Sequence, residues 1–244
     1  ANQVNNPTKS AGVGTADTPS ITIAGDFNDT GDVLVAIIEG VAVSVTVDES
    51  LSFVIAGVTN ATCDTEFATE LGPNTTTTSA AVAFTTIATE VFHHACHDLT
   101  ISTNAANGYT ITAEESTSLL RTAGDSNDKT IDDTVGDGGT ITETTASTWA
   151  TATNNGFGYS CEDSGGAQGD CAITASTNYK QFACTGSATN CDVSGGGETI
   201  QTVASNTAPV SSKISTIEYK LSVDGLQPAG AYSNTVTFIA TPAF

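Results

Sequence analysis

All three histidines of this 244-residue chain lie in one five-residue stretch, together with a cysteine. The stretch is His93-His94-Ala95-Cys96-His97, and imidazole nitrogens are common zinc ligands. On a strand, His93 and His97 would share one face while His94 points to the other, so three converging nitrogens would need an irregular backbone. The HExxH spacing of helical zinc sites is absent. We therefore expect polar residues of an edge strand beside a structural disulfide, with a histidine metal site as the alternative.

An acidic loop is the second group of residues that could do chemistry. Carboxylates and an amide recur through residues 125–137, and calcium takes about six to eight such oxygen ligands. The spacing is not that of an EF-hand and no glutamate closes the loop, so an ordinary solvated acidic loop is the alternative. If calcium is a cofactor, its expected ligands are Asp125, Asn127, Asp128, Asp132, Asp133 and Asp137.

No residue pattern predicts an enzyme. The chain has no Gly-x-Ser-x-Gly, and its glycine-rich stretches lack the strand–loop–helix setting of phosphate-binding loops. Glu114 and Glu115 are adjacent, so on a strand they point to opposite faces and cannot converge on one bond. We expect a protein without catalytic residues.

Two features of the sequence could involve sugars: a set of aromatic residues and a set of sequons. Trp149, Phe157 and Tyr159 could stack on a glycan, although such rings more often fill the end of a β-sandwich. Three Asn-x-Thr sequons are candidate glycosylation sites if the source glycosylates its proteins. They begin at Asn28, Asn60 and Asn74.

The six cysteines predict disulfides made in an oxidising compartment. Six cysteines allow fifteen pairings, and proximity in sequence favours one of them. It joins Cys161 to Cys171 and Cys184 to Cys191, and leaves Cys63 for Cys96.

The charge balance narrows the class of partner. The chain has 27 acidic and 6 basic residues, a formal net charge of -21, so a nucleic-acid partner is excluded for lack of a cationic surface. Because methionine is absent, we expect a mature extracellular form that begins at Ala1 after removal of a signal peptide. No apolar run is long enough to predict a membrane span.

Period-two alternation of apolar and polar residues predicts strands along most of the chain. The clearest pattern runs over residues 41–55, where a bend is expected near 48–50 because one strand of that length would be too long. Residues 217–223 and 232–240 predict two more, the first with Thr216, Glu218, Lys220 and Ser222 on a solvated face. Asn107-Gly108 predicts a β-hairpin turn. Further short strands are expected at 20–24, 33–38, 82–84, 140–143, 157–160 and 198–203, and no helix is predicted.

These patterns predict an all-β fold, a β-sandwich with long disulfide-stapled loops. We expect an extended segment at 1–24 and one sandwich domain at 25–244. The stretch from about 115 to 197 is poor in large aliphatic residues and predicts a loop-rich insertion.

Several phrases of the chain resemble those of a known group of proteins. They are LTISTNAANGYTIT from Leu99, Trp149 followed by NGFGY from Asn155, YKQFA from Tyr179, YKLSV from Tyr219, and QPAGAYSNTVTFIATP from Gln227. Over about 41–244 the chain resembles secreted β-sandwich surface or filament proteins of candidate-phylum (Patescibacteria-type) bacteria. More distantly it resembles camelysin, biofilm-matrix fibre proteins, and the archaeal bundling pilins and threads. That resemblance implies a jelly-roll or immunoglobulin-like β-sandwich that polymerises by donating an N-terminal strand to the next subunit.

The N-terminal segment is expected to act in assembly. Residues 1–19 have almost no large side chains, and an extended segment of this kind can add to the open edge of a neighbour's sheet. Its expected contact residues are Val4, Ala11, Val13, Ile21 and Ile23.

We therefore expect a structural subunit of an extracellular, pilus-like filament, built from identical subunits in a head-to-tail polymer. Its expected role is surface attachment, cell–cell contact or biofilm formation. The alternatives are a monomeric secreted adhesin or carbohydrate-binding module, which would bind a glycan or cell-surface target, and a camelysin-like metalloprotease that uses the histidines.

Overall fold

The computed structural model describes residues 20–23, 31–34, 41–67, 74–121, 130–163, 169–173, 175–185 and 198–244. The chain divides into two compact units, 1–48 and 49–244. The expected division at residue 24 stays a prediction.

The first unit contains a two-stranded antiparallel ladder. Strand β1 (Ser20–Ile23) pairs with β2 (Gly31–Leu34), so the strand expected at 33–38 begins earlier, and residues 35–40 lie outside the described residues. Residues 41–50 form neither helix nor strand. The long strand predicted over 41–55 is thus wrong for its first ten residues, because alternation stabilises a strand only where a ladder partner and a buried face exist.

The second unit is built almost entirely of strands. The longer ones are β3 (Leu51–Gly57), β5 (His93–Thr103), β6 (Tyr109–Glu115), β10 (Gly156–Asp163), β13 (Gln201–Asn206), β14 (Val210–Ser222) and β16 (Val236–Pro242). The shorter elements are helix α1 (Asn60–Glu66) and strands β4 (Asn74–Thr75), β7 (Leu119–Arg121), β8 (Thr130–Ile131), β9 (Ser147–Thr148), β11 (Asn178–Tyr179), β12 (Ala183–Cys184) and β15 (Tyr232–Ser233).

Two sheets enclose the main core. The first has the order β10-β14-β5-β3, with β4 parallel to β5, and in the second β6 pairs with β12, β13 and β16. Strands β11-β9 and β15-β7-β8 form two smaller ladders. Buried apolar side chains of both large sheets form one cluster, among them Leu99, Ile111, Tyr159, Val203 and Ile217. The predicted all-β sandwich is confirmed.

The turn at Asn107-Gly108 does not close a hairpin, contrary to the prediction. Strands β5 and β6 belong to different sheets, so residues 104–108 form an arch that crosses the sandwich. Gly108 has φ +76°, and a Cβ there would lie 2.0 Å from the Asn206 carbonyl oxygen. The glycine does mark a turn, but a turn dipeptide does not specify which strands pair.

Both faces of β14 are buried, which corrects the expected solvated face. Thr216, Glu218, Lys220 and Ser222 are all buried, like Ile217 between them. A second apolar cluster around Trp149 and Tyr179, from the insertion, covers this face. Polar side chains on a strand therefore mark solvent only where no other layer lies above them.

Two local predictions within the loops are also corrected. The short helix α1 was not expected; the Thr59 side chain caps it by accepting the Thr62 amide hydrogen, and Cys63 ties it to β5. The strand expected at 140–143 is absent, and the nearest strand is β9.

No helix within the described residues is long and apolar enough to cross a membrane.

Candidate functional site

An open apolar cleft lies in the second unit, between the two large sheets. Its volume is about 530 Å³. Strand β3 contributes Ile55 and strand β16 contributes Val236 and Phe238, while Phe157 and Tyr219 belong to the core behind them. The cleft therefore opens between the edge strands of the two opposing sheets.

Aromatic rings give the cleft a fixed inner wall. The rings of Phe157 and Tyr219 are stacked 9° from parallel with centroids 6.3 Å apart, and Phe182 packs against both. Such rings have few rotamers and are held from several sides, so this part of the wall is preorganised. A partner would meet a formed apolar surface rather than a collapsed one.

One side of the cleft is lined by a stretch without regular structure. Val82, Phe84 and Ile87 of this stretch are half-buried against the core. The strand predicted at 82–84 is therefore absent, although its apolar residues do face inwards. These side chains cover the cleft only in part, and the sandwich stays open beside them.

Strands β3 and β16 each have one ladder partner among the described residues, β5 and β6 respectively. The side chains of β16 alternate between half-buried and exposed, and the half-buried ones are Val236, Phe238, Ala240 and Pro242. Half-buried apolar residues at a sheet edge leave apolar surface and backbone groups open to a further strand.

The backbone groups of β16 that face this open edge can be assigned from the ladder. The Ser116 amide donates to the Thr235 carbonyl, 2.9 Å, and bonded positions alternate along an antiparallel pair. The amides of Val236, Phe238 and Ala240 therefore point away from β6. Pro242 falls on the same outward side, where its missing N–H removes no bond to β6.

The histidines do not form a metal site. His93, His94 and His97 are buried in β5, which is a central strand rather than the edge strand expected. Ala88 donates its amide hydrogen to His93 Nε2, and His97 Nε2 donates to the Thr78 carbonyl at 2.5 Å. Burial lowers the pKa of His93 and of His97 below the ordinary value, so both rings are neutral at pH 7. Within the described residues, no three His, Cys, Asp or Glu side chains converge as metal ligands would.

His94 belongs to a buried polar network on the outer face of the first sheet. Its Nδ1 donates to Glu218 Oε1 at 2.6 Å, and the Tyr179 hydroxyl donates to Glu218 Oε2 at 2.8 Å. Beside them Lys220 Nζ donates to the Trp149 carbonyl at 2.7 Å and lies over the Phe92 and Tyr179 rings. These partners satisfy charged groups that would otherwise be costly to bury, so the network is structural.

The acidic loop is only partly described. Asp125, Asn127 and Asp128 lie outside the described residues, while Asp132 is exposed and Asp133 buried. The calcium site therefore stays a prediction.

Asp137, the last expected calcium ligand, already has protein partners. Its carboxylate accepts hydrogens from the amides of Ala150 and Thr151 and from Asn154 Nδ2. Burial works against its ionisation, but these bonds outweigh it and hold the pKa of Asp137 below its ordinary value. The carboxylate thus fastens the 150–154 turn.

The predicted sugar-binding residues are not arranged as a platform. Trp149, Phe157 and Tyr159 are all buried, so no ring face is open to stack on a glycan. Asn60 is exposed at the start of α1 and Asn74 lies in β4, while Asn28 lies outside the described residues.

Two of the predicted disulfides are present. One joins Cys63 to Cys96 and the other Cys161 to Cys171, with Cα–Cα distances of 5.6 and 5.7 Å. Cys184 is also disulfide-bonded, and Cys191 lies outside the described residues.

Of the five expected assembly residues, the structure describes only the last two, Ile21 and Ile23. Val4, Ala11 and Val13 lie outside the described residues. Ile21 and Ile23 pair with Val33 and Gly31 in the β1–β2 ladder, so this part of the expected donor already has a strand partner.

Sequence reasoning missed the cleft. Strands β3 and β16 both have inward-facing apolar residues, and both lie at sheet edges. Periodicity reveals the apolar faces but cannot reveal which strands pair, so it gives no signal for the cleft.

No known protein family, curated protein or solved structure matches the chain.

Proposed function

We propose that the protein is a structural subunit of an extracellular filament, assembled from identical subunits by donation of a strand from one copy to the next. The observation that carries the proposal is the cleft between β3 and β16, an apolar opening with a sheet edge on either side. A donated strand would supply main-chain hydrogen bonds to an edge and apolar side chains to the opening.

A head-to-tail contact of this kind joins two different surfaces of the subunit, so it does not close on itself and repetition gives a fibre. The disulfides Cys63–Cys96 and Cys161–Cys171 suit a subunit that works in an oxidising environment. The net charge of -21 keeps free subunits apart until a specific contact forms.

Electron microscopy of the purified full-length protein in negative stain tests the proposal. Long, unbranched particles of constant width are expected after concentration. Single globular particles at every concentration, together with saturable binding to a glycan array, would instead establish the adhesin alternative. For the metalloprotease alternative, the corresponding result is casein cleavage that is lost when a chelator is added. That alternative requires metal ligands, and the described histidines do not supply them.

A further inference from the structure

Residues 41–47, the valine segment, carry an unusual exposed apolar surface. Val41, Val43, Val45 and Val47 are 88, 90, 87 and 75% exposed. Isolated exposed apolar residues are ordinary, but four at alternate positions would form one apolar row once the segment is extended. Such a row is the inward face of a strand that has no sheet.

The valine segment matches the open edge of the cleft in length and pattern. Seven extended residues span roughly 23 Å at about 3.3 Å each, and β16 is also seven residues long. With the four valines turned towards the cleft, Ala42, Ser44 and Thr46 would face solvent. The outward amides of Val236, Phe238 and Ala240 offer the main-chain bonds.

A short tether joins the valine segment to β3, with little slack to cross to this edge. Ser50 is fastened to the first sheet, since its amide bonds Asn104 Oδ1 and its carbonyl accepts from the Thr103 hydroxyl. From Ser50 to Val47 there are three peptide steps, at most about 11 Å, and packed sheets lie about 10 Å apart. The arch at the same end of the sandwich uses five residues, 104–108, for this crossing.

From this fit, and on the basis of the filament function proposed above, we infer that the valine segment of one copy is the strand that fills the cleft of a second copy. It adds to the outer edge of β16 with its four valines against Phe238 and the neighbouring wall. This assigns donation to 41–47 rather than to 1–24, whose end is already paired in the β1–β2 ladder.

The first test changes one side of the segment at a time in the full-length protein. Val43→Asp and Val45→Asp place a charge in the apolar cleft, whereas the control Ser44→Asp adds the same charge on the solvent side. All three positions are exposed in the free subunit, so folding is unaffected. We expect the two valine variants to lower the sedimentable fraction at least about tenfold and the control to leave it unchanged.

The second test is independent of filaments. A labelled synthetic peptide VAVSVTV with terminal lysines is titrated against the full-length subunit and followed by fluorescence anisotropy. Saturable binding is expected, and the peptide with aspartate at the positions of Val43 and Val45 should bind at least about tenfold more weakly.

The outcomes separate the two proposals. If the wild type forms no filaments, the proposed function fails, and peptide binding alone then decides whether the cleft accepts this segment. If filaments form equally well with both valine variants, the inference is wrong while the filament function stands. Deletion of residues 1–19 should leave filaments intact; their loss would return donation to the N-terminal segment. A lower melting temperature of a monomeric Val43→Asp variant would mean that the segment fills the cleft of its own chain.

Discussion

At the scale of single residues, the buried histidines take part in hydrogen bonds that stabilise the fold. His97 donates to the Thr78 carbonyl through Nε2, so its Nδ1 accepts from the Tyr219 hydroxyl, 3.1 Å away. His93 Nε2 is occupied by the Ala88 amide. These three ring nitrogens are therefore engaged by hydrogen bonds, and the two rings must stay neutral to keep them.

This neutrality predicts a loss of stability in mild acid. Because burial lowers the pKa of His93 and His97 in the folded state, the unfolded chain binds more protons near the ordinary pKa of 6.5. Stability from these groups is complete above 6.5 and decreases as the pH falls through it. Urea unfolding between about pH 7.5 and 5.5 should show this slope, and His97→Gln should make it shallower. An unchanged slope in both His97→Gln and His93→Gln would contradict the assignment.

Glu218 should be the most sensitive member of the buried network. Glu218→Ala leaves the His94 and Tyr179 donors without their acceptor and should cost about 2 to 5 kcal/mol. The control Tyr179→Phe removes a single hydroxyl and should cost about 1 kcal/mol. Urea titration measures both, and equal losses in the two variants would mean that the carboxylate is not the centre of the network.

At the scale of elements, sheet pairing is what positions both the core and the cleft. The arch at 104–108 sends the chain from β5 in one sheet to β6 in the other, and β16 then covers one side of β6, while no other described strand pairs with its outer side. Because the arch separates two strands that a hairpin would have paired, it determines which strands end up at the edges.

Replacement of Gly108 tests the arch. Gly108→Ala must accommodate φ +76° and a contact of 2.0 Å to the Asn206 carbonyl oxygen, so backbone has to move. Gly139→Ala is the matched control, with φ +64° and no atom within 4 Å of the added carbon. The control should cost about 1 kcal/mol, and Gly108→Ala at least about 2 kcal/mol more. Thermal melting compares them, and similar losses would show that the crossing is loose.

Periodicity predicted the individual strands better than their arrangement. The alternation at 217–223 and 232–240 correctly indicates β14 and β16, because each strand needs one apolar face wherever it lies. It could not show that Glu218 and Lys220 are covered by the insertion, since burial of a polar face depends on residues about 70 positions away, such as Trp149 bonded to Lys220.

The same pattern at 41–47 predicted a strand where the single chain has none. The valines carry the signal of a half-buried strand, and the structure leaves them exposed. The prediction is wrong for the subunit because a strand also needs a ladder partner. The local sequence does not show whether such a partner is present. A ladder partner supplied by a second copy would satisfy the pattern that the single chain leaves exposed.

At the scale of the whole molecule, one chain contains both an open cleft and an exposed apolar segment whose surfaces match. Natural sheets seldom leave a long apolar edge uncovered, since it invites association. Here the inward residues of β16 and the valine segment would each remain partly wetted in an isolated subunit. In the proposed contact, burial of both would remove the two exposed surfaces together and make a polymer more stable than its subunit.

Hydrogen–deuterium exchange of β16 tests this account most directly, because it reports on the edge itself. In free subunits the amides of Val236, Phe238 and Ala240 point away from β6 and should exchange quickly, whereas those of Thr237, Ile239 and Thr241 are protected by the ladder. In filaments, or with the VAVSVTV peptide bound, the first three should become protected as well. Exchange of Val236, Phe238 and Ala240 that is equally fast in subunits and filaments would contradict strand addition at this edge.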